Sequence, residues 1–322
     1  MQSYTRYKVS EFLKDRHPYV PPKPTPLMDP EQVAVAFNER CVPKLKDLLV
    51  YEPLNSQKLR DALHTLNELV SHQETKELMI QQNIVQSSVN LMSDESEEVR
   101  AEAAILCGSL LFLDAGRAEY NSRVGNYKIL QALIFDKFLS VRECAGWLIY
   151  RFSLHKEGVD ILYNSLTITK MVDALNIYST PSRVEDNYKY ILFLLEAFVN
   201  CTMYDFAIQL TLQNGFLKAF NIILRDRNQY YSTSLSPGIY EQILELVLCV
   251  LKNISLVKEG KKEALDEGLV YTLSWYLDSK IEKERLYSSS FMMSVGNILE
   301  AKKQISEYHF NMKFEILEVK NL

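Results

Sequence analysis

The 322-residue sequence has no cysteine pair at CxxC spacing, no long apolar run and no excess of positive charge. Each absence excludes a class of function. Cys41, Cys107, Cys144, Cys201 and Cys249 stand singly, with no histidine at ligand spacing, which argues against a zinc site. Four of them fall in apolar helical runs, where a thiol behaves as a small buried hydrophobe, and this suits a reducing compartment. No apolar stretch approaches the roughly 18 residues a membrane helix needs. The amino terminus, MQSYTRYKVSEFLKDRHPYV, lacks the apolar core of a signal peptide. With 36 Lys and Arg against 41 Asp and Glu, the net charge of −5 offers no large field to a nucleic-acid backbone or an anionic lipid surface. Neither nucleic acid nor membrane is an expected partner.

Signs of catalysis are equally scarce. His17, His64, His72, His155 and His309 are widely separated, and none belongs to an HExxH or lies beside a GxSxG elbow. The glycine patterns that cradle phosphates are missing, and Gly260-Lys261-Lys262 reads as a helix junction with exposed lysines. Asp94, Glu95, Glu97 and Glu98 lack the spacing of a calcium loop and precede a helix, where negative charge suits the positive end of the dipole. No catalytic residue, cofactor, metal site or small-molecule substrate is expected.

What is present is repetition. An amphipathic stripe, apolar at i, i+4, i+7 and i+11, recurs along the chain. It runs Leu59, Leu63, Leu66, Val70; Val99, Ala103, Leu106, Leu110; and Val141, Ala145, Leu148, Phe152. It continues as Tyr190, Leu194, Ala197, Cys201; Ile243, Val247, Val250, Ile254; and Tyr287, Phe291, Ser294, Ile298, where Ser294 departs from it. The intervals are 40, 42, 49, 53 and 44 residues. Between stripes the chain reads as a short helix, a Gly or Asn stop and a second apolar helix: GKKEALDE, Gly268, LVYTLSWYLD, and AIQLTLQ, Asn214-Gly215, FLKAFNIILRD. Strand and hairpin signals are absent from the body. The expectation is an all-α, armadillo-type (HEAT-like) right-handed superhelical solenoid of about six repeats over residues 31–305.

Two segments flank the solenoid and two interrupt it. Residues 1–30 hold six of the ten prolines, among them Pro21, Pro22, Pro24 and Pro26, and carry a local charge of +2. They read as an extended basic arm with an acidic body behind it. Residues 306–322 alternate with period two, which suggests a strand, yet Phe310, Phe314 and Leu317 also share a helix face, so the segment is read as a capping helix or tail. STPSRVEDNY (179–188) and DRNQYYSTSLSPG (226–238) read as loops lengthening two repeats, either as tolerated surface or as a contact surface carrying Tyr230 and Tyr231.

Just before the last residue of five of the six stripes stands a polar or charged side chain: Ser109, Arg151, Asn200, Asn253 and Asn297. Third helices of such repeats line a concave groove, where an asparagine amide can pair with the backbone of an extended partner. The same amides can instead satisfy backbone between repeats. Trp147, one turn before Arg151, resembles the Trp and Asn pairing of peptide-binding repeats, with Arg151 in place of the amide. The turn before holds Ile105, Glu196, Cys249 and Met293 in the other repeats, so the ladder is incomplete.

PPKPTPLMDPEQVAVAF (21–37), the stripe beginning at Leu59 and LKNISLVKEGKKEALDEGLVYTLSWYLD (251–278) resemble the radial spoke head 14 homologue family, over roughly residues 21–305. The resemblance implies an armadillo-repeat subunit of the ciliary radial spoke, a structural part of the axoneme that is cytoplasmic before assembly, with other spoke subunits as partners. The arm and the groove would be its docking elements. The competing class is a cytosolic armadillo adaptor that captures an extended peptide in its groove.

Overall fold

The computed structural model describes residues 41–50, 55–212, 215–226 and 236–306. The proline-rich arm, Asn214, Tyr230, Tyr231 and the tail beyond Ser306 lie outside the described residues. Among those described, the regular structure is helical throughout.

The helices fall into the expected threes. An opening pair, α1 (Cys41–Val50) and α2 (Ser56–Leu69), is followed by α3 (Gln73–Gln81), α4 (Ile84–Leu91) and α5 (Glu97–Leu110). Next come α6 (Asp114–Asn121), α7 (Gly125–Leu133) and α8 (Leu139–Ser153), then α9 (Lys156–Asn164), α10 (Thr167–Tyr178) and α11 (Pro181–Cys201). Two further sets are α12 (Asp205–Thr211), α13 (Phe216–Arg225), α14 (Pro237–Ile254) and α15 (Lys258–Asp266), α16 (Leu269–Ser274), α17 (Glu282–Val295). A last helix covers 299–306. The third helices α2, α5, α8, α11, α14 and α17 stand side by side in that order, each packed on the next.

The stripe makes this core. In α5, α8 and α11 all its residues are fully buried, and in α14 each is at most 1% exposed. Burying one such aliphatic side chain contributes about 1.5–3 kcal/mol, so the stripe is what each repeat folds around. The turn between first and second helices is left-handed at Asn83, Leu166, Gly215 and Gly268, with φ between 58° and 71°. Glycine and asparagine tolerate that geometry; Leu166 is the exception.

First and third helices cross at very close range. A Cβ at Gly116, Gly158 or Gly260 would lie 2.2, 1.9 or 2.3 Å from the carbonyl oxygen of Leu110, Phe152 or Ile254. These glycines hold the same place in three repeats because only a bare Cα fits under the end of the preceding helix. Gly260-Lys261-Lys262 is thus the helix junction its sequence suggested.

Arginines fasten the turns before the third helices. Arg100 donates to the carbonyls of Asp94 and Glu95 and pairs with Asp136 at 2.9 Å. Arg142 repeats the pattern on the carbonyls of Asp136 and Lys137 and reaches Asn187 Oδ1 at 2.7 Å. Glu97 and Glu98 occupy the first turn of α5, as their sequence position predicted.

Two expectations require correction. Residues 179–188 are not a loop: Pro181 starts the 21-residue α11, with Thr180 as its N-cap. Proline is pre-set for that first position, and Val184 and Asn187 continue the buried face of Ile191 back through the polar stretch. Of the second stretch, 236–238 likewise opens a helix, with Pro237 at the first turn of α14.

The second correction is the register of the last stripe. In α17 the buried residues are Glu284, Ser288, Phe291, Met292 and Val295, whereas Tyr287, Ser294 and Ile298 are only half-buried. The stripe therefore runs 284, 288, 291, 295, three residues earlier than the apolar template placed it. Glu284 and Ser288 disguise it, since a stripe scored on hydrophobicity slides to Tyr287 and Ile298.

Candidate functional site

Of the residues singled out from sequence, the row of third helices holds Ser109, Trp147, Arg151, Asn200 and Asn253. Trp147 is half-buried, and the six-membered ring lies over Gly108 of the preceding third helix, where a Cβ would come within 2.5 Å of it. One turn on, the Arg151 guanidinium lies 5.5 Å from the Trp147 ring and 5.0 Å from that of Phe112. Its Nε has no hydrogen-bond partner among the described residues, so aromatic faces hold the cation in place. Phe112 is 44% exposed, with Lys76 Nζ 5.4 Å from its centre and the His155 ring edge-on at 5.5 Å. Trp147, Arg151 and Phe112 form one cluster at the end of α5 and α8. Phe112 and His155 were not singled out from sequence; the signal was their place in the turn after a stripe.

The row continues through Tyr150, stacked on Phe193 at 6.3 Å, to Glu196 and Asn200 on α11. Burial raises the Glu196 carboxyl above the usual carboxylate range. Further along, Lys283 pairs with Glu245 at 2.6 Å. At the other end, Glu102 accepts from Asn67 Nδ2 at 2.7 Å and faces His64 Nδ1 at 3.3 Å.

The asparagine ladder has a structural use. Asn200 Nδ2 donates to Ser153 Oγ at 3.0 Å, and Asn253 Nδ2 to the Val199 carbonyl at 3.3 Å and Thr202 Oγ1 at 3.2 Å. Each amide thus ties its third helix to the end of the one before, Asn200 through a hydroxyl and Asn253 through a hydroxyl and a backbone carbonyl. With the register of α17 corrected, the next member is Ser294, whose Oγ donates to the Ser255 carbonyl at 2.5 Å. Asn297 is exposed and lies past the end of α17, so it drops out of the series, and Met293 gives way to Ser290 one turn before. Ser109 is half-buried on α5, at the ladder position before Arg151.

Burial pushes the Cys144 and Cys201 thiols up to about 12, and it raises Cys107 and Cys249 as well. A protonated thiol is neither a good nucleophile nor a metal ligand. Among the described residues, no group of three His, Cys, Asp or Glu is placed to hold a metal ion, and no helix is long and apolar enough to cross a membrane.

The fold has solved counterparts. A designed armadillo repeat protein is similar at 18% identity and a TM-score of 0.64, over 79% of this chain and 99% of that one. Another, in complex with a (KR)4 peptide, has 18% identity and a TM-score of 0.65 over the same shares. A third, computationally designed for modular peptide recognition, matches equally well, at 18% and 0.65. At such identities the likeness establishes the fold alone, and the chain is an all-α armadillo-type solenoid. The sequence matches no protein-family model and no curated protein.

Proposed function

We propose that this chain is a non-catalytic scaffold that holds other proteins along the concave row of its third helices. The observation that carries this reading is the row itself, in which half-buried Trp147, Arg151, Phe193, Glu196 and Asn200 line up on adjacent helices. Such a surface offers aromatic faces, one carboxyl and one guanidinium to an extended segment, which is what backbone and side-chain capture needs. That a similar fold is found in complex with a peptide supports it. Because Asn200 and Asn253 spend amide hydrogens on their own neighbours, the Trp147, Arg151 and Phe112 cluster is the stronger anchor.

More specifically, we propose that the partners are other subunits of the ciliary radial spoke. Support comes from the likeness of residues 21–37 and 251–278 to the radial spoke head 14 homologue family. The second segment spans the end of α14 through α16 and the turn beyond, one third-to-first helix junction. Its Gly260 is demanded by packing in the same way as Gly116 and Gly158, so the residues around that glycine bear more on kinship than the glycine itself. The test is the location of a tagged copy in ciliated cells and its retention in detergent-washed axonemes through salt extraction. Retention is expected; a diffuse cytosolic signal would favour the adaptor reading instead.

A further inference from the structure

Arg151 differs from the other arginines of this fold. Arg60, Arg100, Arg117, Arg142 and Arg285, the remaining buried or half-buried ones among the described residues, each donate to a carbonyl or pair with a carboxylate. The Arg151 guanidinium does neither among the described residues: the Trp147 and Phe112 rings hold it, and its Nε is buried without an acceptor. Its place in the last turn of α8 suits the helix dipole, but a long side chain can serve that purpose with its head in water. Here the cation is fixed against two aromatic faces instead.

The neighbouring acids do not neutralise it. Asp114 and Glu157 both pair with Arg117, which also donates to the Phe112 carbonyl. Glu196, at the Trp147 position of the next repeat, forms no ion pair among the described residues, and burial alone raises its carboxyl. Lys76, likewise without an ion pair among the described residues, adds a second cation 5.4 Å from the Phe112 ring.

The chemistry of this corner selects its ligand. An asparagine at the Arg151 place would both donate to and accept from a partner backbone, whereas a guanidinium has donors and no acceptor. It therefore takes an oxygen, and its uncompensated charge favours a carboxylate over a carbonyl. Trp147 rests on Gly108 and Phe112 is 44% exposed, so apolar ring surface lies next to the charge.

We infer that Phe112, Trp147, Arg151 and Lys76 recognise an aspartate or glutamate side chain of an extended partner segment, with an apolar residue of that segment beside it on the Phe112 ring. The inference rests on the reading of the third-helix row as the surface that holds partners, and adds the sign of the partner's charge.

Selection from a phage-displayed library of random peptides about twelve residues long tests it, on the unaltered full chain and on Arg151→Glu, with melting temperatures checked alongside. The unaltered chain should enrich peptides with Asp or Glu beside an apolar residue, and Arg151→Glu should enrich Lys or Arg instead. Replacing the acid of one enriched peptide by its amide should weaken its binding to the unaltered chain by about tenfold or more, a result that needs no variant to fold. Lys76→Met, on a first helix, should weaken the same peptide in the same direction. Enriched peptides without an acid, or an amide form that binds equally well, would overturn the inference and leave the row a binding surface. No enrichment on the unaltered chain would overturn it together with the reading of the row.

Discussion

Leu166 shows how a single residue departs from what its turn requires. It is 58% exposed and holds φ at 58°, a geometry that costs a side chain with a Cβ roughly 1 kcal/mol. Asn83, Gly215 and Gly268 occupy the equivalent turns. Leu166→Asn is expected to raise stability by roughly 0.5–1 kcal/mol in chemical denaturation, and an unchanged or lower midpoint would contradict the reading. Asn253→Ala should cost about 1 kcal/mol, since it leaves the Val199 carbonyl and Thr202 hydroxyl without that donor. His155 gives a pH signature. Burial, and then the nearby Arg117 guanidinium, lowers its imidazole pKa, so the native state binds fewer protons there than the unfolded chain. Stability is then fully present above about pH 6.5 and is lost as the pH falls below it. Melting temperatures at pH 7.5 and 5.5 should differ less in His155→Gln than in the unaltered protein; an equal difference would rule out this linkage.

At the scale of the element, the stripe was legible because burial and hydrophobicity coincide in α5, α8, α11 and α14. It failed where they part company. Glu284 and Ser288 are buried polar residues, so α17 was read three residues late and Asn297 entered the ladder in place of Ser294. Residues 179–188 failed for a related reason: polar composition suggested a loop, although Pro181 at a helix start and the spacing of Val184, Asn187 and Ile191 already spelled a helix. The cluster at the groove was half legible. Trp147 and Arg151 stand one turn apart in sequence, but Phe112 reaches them from another repeat, and no local pattern shows that. The close crossing of first and third helices gives the sharpest test at this scale. Gly158→Ala places a methyl group 1.9 Å from the Phe152 oxygen and should cost roughly 1–3 kcal/mol, whereas Gly125→Ala meets nothing within 4 Å and should not destabilise. Equal effects would mean the crossing is looser than described.

For the whole molecule, the third helices stand side by side along the chain, and each repeat contacts chiefly its neighbours. The central claim is that the concave row holds the partner. It is tested most directly by Arg151→Ala combined with Glu196→Ala, two half-buried side chains of that row, in a chain whose melting temperature is checked alongside. The account predicts that the unaltered protein stays on salt-washed axonemes while the double variant, still folded, is released. Equal retention of a folded double variant would contradict it.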